Sequence, residues 1–165
     1  ALEVMEQQQS PEEQAVHALY REVLRSWNRR DARGFAALCT HAARVTVHDG
    51  VEMHGRGTIE LELSRSFERQ PTLACIGVVR AIQPLGEGVH RLSAIAGMYR
   101  PGSYRVDPAW NALHTMVSVR EQGRLRVVSY QSTPAAFHEQ PDLGQRLTAD
   151  LERALRRVSA ATTRS

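Results

Sequence analysis

The 165-residue chain predicts an α+β fold in which helices cover one face of a curved antiparallel sheet, in the order α-α-ββ-α-ββββ. Three observations lead there. A helical apolar stripe runs from Val16 to Trp27, segments beyond Arg44 alternate with period two, and Gly or Pro punctuates the intervals between them.

Each element has a local reason. Ser10-Pro11-Glu12-Glu13 supplies an N-cap hydroxyl, a proline at the first helical position and a glutamate that closes the capping box, so a helix starts there. Its buried face is Val16, Leu19, Tyr20, Val23, Leu24 and Trp27, at i, i+3, i+4, i+7 spacing. Asp31 is placed to cap a short second helix through Ala32–Leu38, which makes a corner at Arg30-Asp31. Arg44–His48 alternates, Asp49-Gly50 is a hairpin signal, and Val51–His54 returns. Thr58 opens a third helix, with Ile59, Leu63 and Phe67 on one side, that ends near Pro71. Four longer strands follow, Leu73–Ile82, Val89–Arg100, Asn111–Arg120 and Arg124–Gln131, with reversals at Pro84 to Gly88, Pro101 to Pro108 and Gln122-Gly123. After Pro141, with Asp142 as cap, Leu143, Leu147, Leu151, Leu155 and Val158 mark an amphipathic helix. It is expected to pack on its own body. The domain plan is a mobile tail over 1–9, a body over 10–135 and a C-terminal extension over 136–165.

Composition narrows the function classes. The 21 basic residues are all arginine, so a lysine Schiff base, lysine-bound pyridoxal phosphate and a Walker A lysine are excluded. The net charge of +3 is spread among 18 acids, without a basic stripe interleaved with aromatics, and nucleic-acid binding is not expected. No apolar run approaches the length of a membrane span, and the N-terminal residues do not read as a signal peptide, so a cytoplasmic protein is expected. Cys39 and Cys75 read as reduced core thiols. The seven histidines lack paired ligand spacing, and no Gly-x-Gly-x-x-Gly fingerprint follows a strand; neither a metal nor another cofactor is expected.

Trp27–Leu38, His48-Asp49-Gly50, His54-Gly55-Arg56-Gly57-Thr58-Ile59, Gly123–Val127 and Tyr130–Thr133 resemble, in order and spacing, the signature blocks of SgcJ/EcaC-type proteins. That group lies within the SnoaL-like branch of the nuclear transport factor two-like and ketosteroid-isomerase-like superfamily. The resemblance spans about residues 14–135. It implies a cone-shaped sheet closed by helices around an internal pocket, commonly in a homodimer, and a place in polyketide or enediyne biosynthesis. Leu125 and Ser132 stand where the group usually has Trp and often has Asn, and contacts of those family residues do not carry over.

The resemblance also directs attention to particular side chains. Asp49, with His48 beside it, falls nearest the isomerases' proton-abstracting carboxylate, although turn chemistry explains Asp before Gly without catalysis. The isomerases' helix-one tyrosine aligns with Val23, leaving Tyr20 one turn earlier as a substitute. Asn111, His114 and Thr115 lie near the remaining donor position. His114 reads either as a proton shuttle or as a structural histidine. The expected catalytic set is thus Asp49, His48 and His114. The expected ligand-lining set is Tyr20, Trp27, Phe67, Tyr99, Trp110, Asn111 and Tyr130, with the Pro101–Pro108 loop as rim or lid. The expected ligand is a small, largely apolar natural-product intermediate. It would undergo cofactor-independent cyclisation, isomerisation or dehydration, or be carried and protected without chemistry; a dimerising domain without ligand is a third reading.

Overall fold

The computed structural model describes residues 9–69 and 73–162. The expected tail, apart from Gln9, and the expected helix end at Pro71 lie outside the described residues. Helix α1 (Pro11–Asn28) begins where Ser10 Oγ accepts from the Glu13 amide at 3.1 Å. Its other end is pinned to the sheet: Asn28 donates to the Cys75 carbonyl at 3.0 Å and accepts from the Cys75 amide at 2.7 Å. Arg30 adopts φ +56°, which turns the chain, and Asp31 then caps α2 (Ala32–Ala37) through the Gly34 amide at 2.8 Å. Strands β1 (Cys39–Thr46) and β2 (Glu52–His54) form the hairpin, and α3 (Arg56–Arg69) follows. Gly50 at its turn has φ +86°. Strands β3 (Ala74–Gly86), β4 (Val89–Tyr99), β5 (Val106–Glu121) and β6 (Arg124–Pro134) make the meander, and α4 (Pro141–Thr162) ends the described chain.

The six strands form one sheet in the order β2-β1-β6-β5-β4-β3. Neighbours are antiparallel except β1 and β6, which run parallel and bring Val45 opposite Tyr130. This junction joins the first hairpin to the last strand and curves the sheet around α1, α2 and α3. Val16, Tyr20, Val23, Phe35, Val45, Ile59, Leu63, Leu92, Met116 and Val127 fill the space between. On the opposite face α4 lies across β3, β4 and β5, where Leu147, Leu151 and Leu155 meet Ile76, Ile95 and Val106. Pro141 takes the first helical position and Asp142 the second, so Asp142 sits inside the first turn and not at the cap position assigned to it from sequence.

Strands β1, β3, β5 and β6 run longer than alternation alone implies, β5 most of all, whereas β2 and β4 each stop one residue short of it. Its ladder with β4 jumps from Ala112 opposite Ala96 to Asp107 opposite Met98, so β5 bulges over residues 108–111. The turn expected up to Pro108 is therefore confined to residues 100–105. Among the described residues, no helix is long and apolar enough to cross a membrane.

Candidate functional site

The concave face carries a buried polar cluster. Tyr20 enters from α1, His114 from β5 and Tyr130 from β6, and both phenolic hydroxyls converge on His114 Nδ1, at 2.9 and 3.0 Å. Tyr130 also stands 3.3 Å from Nε2. Tyr20 is 1%, His114 4% and Tyr130 6% exposed, so water plays little part in satisfying them. The three rings meet edge to face, with His114 6.0 Å from Tyr20 and 5.1 Å from Tyr130 between centroids.

Burial sets the proton state. Desolvation, reinforced by the charge of His48, lowers the His114 pKa to about 3, so the imidazole is neutral at pH 7. Desolvation pushes both phenols well above their ordinary value. Each ring keeps its neutral form across the physiological range.

Gly77 on β3 makes room for this arrangement, because a Cβ there would collide with the Tyr20 hydroxyl. Sequence reasoning passed over Gly77. A glycine inside a strand, between Cys75 and Val79, was the available signal that another group approaches the backbone.

His48 lies 5.4 Å from Trp110 between ring centroids, and the β5 bulge carries Trp110 beyond the end of β6 to reach it. Trp110 remains 40% exposed. Trp27 packs edge to face on Phe67 at 5.2 Å, and the Arg30 guanidinium lies 5.5 Å from the Phe67 centroid. Leu24 and Trp27 also border Cys75, Ala96 and Ala112. Asp49 is exposed in its turn, where Oδ1 accepts from the Val51 amide at 3.2 Å, the Asx arrangement that turn chemistry anticipates.

Two residues grouped with this pocket in the sequence lie on the other face. Tyr99 packs with the α4 cluster. Asn111 turns toward α4, where Nδ2 donates to Thr148 Oγ1 at 2.7 Å. The reason is strand parity: Cys75, Ala96, Ala112 and His114 point inward, and Tyr99 and Asn111 fall at outward positions around the β5 bulge. Among the described residues, no three His, Cys, Asp or Glu side chains are grouped as metal ligands would be.

Neither a protein-family profile nor a curated protein sequence matches this chain. Solved structures do resemble it. A domain with a cystatin-like fold from Nostoc punctiforme superposes with a TM-score of 0.71 at 19% identity, over 95% of this chain and 99% of that one. Aln2 from a Streptomyces species gives 0.62 at 21% identity, over 84% and 97%. A ketosteroid isomerase-like protein from Erwinia carotovora atroseptica gives 0.61 at 12% identity, over 78% and 99%. What the likenesses establish is the fold: this chain is an α+β protein with the helix-closed, curved sheet of the nuclear transport factor two-like cone.

Proposed function

We propose that the chain binds a small, largely apolar molecule bearing a carbonyl or similar oxygen on the concave face of its sheet, as an SgcJ/EcaC-type SnoaL-like protein of polyketide or enediyne biosynthesis. The observation carrying this reading is the convergence of Tyr20 and Tyr130 on neutral His114. A neutral imidazole has one N–H and one lone pair. In either tautomer it cannot accept well from both phenols at Nδ1, which leaves at least one phenolic proton for a ligand oxygen. Fixed, desolvated donors of this kind stabilise negative charge developing on such an oxygen.

The same proton states argue against the trio as the base. An imidazole with a pKa near 3 is a weak base, and phenols shifted upward are weak acids. Proton abstraction in a cyclisation, isomerisation or dehydration falls instead to His48, or to Asp49 beside it, and needs no cofactor. Trp27, Phe67 and Trp110 supply apolar surface for a flat ligand. The resemblance further supports a homodimer.

The alternative, a carrier that shields a reactive intermediate, is favoured by one observation: Asp49 is exposed and engaged in its own turn. A hydroxyanthraquinone, a planar ketone of polyketide type, tests binding through quenching of tryptophan fluorescence. Tyr20→Phe, Tyr130→Phe and Gly77→Ala are each expected to weaken binding roughly tenfold or more, the last by displacing the Tyr20 hydroxyl. Unchanged affinity in all three would remove the site. With a turned-over substrate, His48→Ala and Asp49→Asn separate the two readings. Lost product with binding retained marks an enzyme, and undiminished product marks a carrier.

A further inference from the structure

A cleft of about 430 Å³ opens on the sheet face opposite the tyrosine–histidine cluster, between the first half of α4 and the start of β5. Pro108, Phe137, Pro141 and Ala149 give it apolar walls, and Asn111, Gln145, Thr148 and Glu152 are its polar groups. That volume is within the range of small-molecule sites.

Asn111 is the unexpected residue. It is 5% exposed and adjoins an apolar cluster of Ile95, Val106 and Leu151, yet its Oδ1 has no hydrogen-bond partner among the described residues. An apolar side chain of similar size would avoid that stranded acceptor. Gly97 accommodates the amide, since a Cβ there would stand 3.2 Å from Oδ1 and closer still to Val106 and Leu151.

What Asn111 gains is Thr148. Its Nδ2 donates to Thr148 Oγ1 at 2.7 Å, which occupies the hydroxyl as an acceptor and orients its own proton elsewhere. No acceptor for that proton is found among the described residues, and Thr148 lines the cleft. Gly144 adds a further sign. Glycine inside a helix is unfavourable, and a Cβ at Gly144 would meet nothing nearer than Phe137 Cδ2 at 3.7 Å, so packing does not demand it. Its missing methyl widens the cleft beside Phe137.

We propose that this cleft is a second small-molecule site, for a flat, uncharged molecule whose carbonyl oxygen accepts from Thr148 while its apolar body rests on Phe137 and the two prolines. Glu152 at the rim, with no Arg among the lining residues, disfavours a carboxylate.

Acetophenone, ethylbenzene and benzoate are the probes, each titrated into ¹⁵N-labelled protein while backbone amide shifts are followed by NMR. Acetophenone is expected to move amides between Ala135 and Glu152, and to bind several-fold more tightly than ethylbenzene or benzoate. Thr148→Val is expected to bring acetophenone down to the level of ethylbenzene. Gly144→Ala, which leaves the part-buried Asn111–Thr148 pair intact, is expected to lower affinity for acetophenone and ethylbenzene alike. No shift in that segment, equal binding of the three probes, or affinity for acetophenone unchanged in Gly144→Ala would overturn the proposal. Because the concave site is lined by other residues, Tyr130→Phe should leave these shifts unaltered.

Discussion

His114 illustrates how a single buried side chain couples proton chemistry to stability. Its pKa falls from an ordinary 6.5 to about 3 in the folded chain, so between those values the unfolded chain binds a proton that the native one refuses. His114 therefore adds no penalty above pH 6.5. As pH falls toward 3 it destabilises the fold, by about 1.4 kcal/mol per pH unit at the steepest. Urea midpoints measured from pH 7 to pH 4 should fall less steeply in His114→Gln than in the parent. Parallel pH profiles would mean that the imidazole is not held neutral. Nothing in the sequence around His114 disclosed these partners, because Tyr20 lies 94 positions away and Tyr130 lies 16 away on another strand. The candidates were legible one by one as residue types; their meeting at one nitrogen was not.

At the scale of elements, the caps and turns are local chemistry and follow from the sequence. Ser10, Asp31 and Gly50 do what their neighbours dictate; α1 and α2 begin where the pattern places them, and the first hairpin turns at Gly50, although β1 starts at Cys39, five residues ahead of the alternation. Asp31 also fixes the angle between α1 and α2, since Arg30 is already committed to a positive φ. Asp31→Ala should lower stability by about 1 kcal/mol, seen as a reduced melting temperature. No change would show that the corner is held by packing alone. Strand β5 is where local pattern fails. Its residues 108–111 bulge, which shifts the inward and outward alternation across the bulge. Asn111, grouped by sequence with the concave site, thereby faces α4, and Trp110 reaches His48.

For the molecule as a whole, the sheet separates the main apolar clusters of its two faces. The larger one packs against α1, α2 and α3; the smaller one exists because α4 covers β3, β4 and β5. Leu151 is fully buried in the smaller cluster, and Leu151→Ala should cost roughly 2–5 kcal/mol by chemical denaturation. Hydroxyanthraquinone binding to the folded variant should persist near the parent's affinity. A large loss of that binding would mean that the two faces are energetically coupled through the sheet.

By itself the sequence determined the α+β class, the order of its elements and the amphipathic face of α4, because caps, turns and apolar periodicity are properties of neighbouring residues. The tertiary structure alone decided that β1 joins β6 in parallel, that Tyr20 and Tyr130 share His114, and that Tyr99 and Asn111 belong to the α4 face. Those outcomes depend on register and bulges between strands far apart in the chain. A shift of one residue reverses which side of the sheet a side chain meets, and no local pattern fixes it.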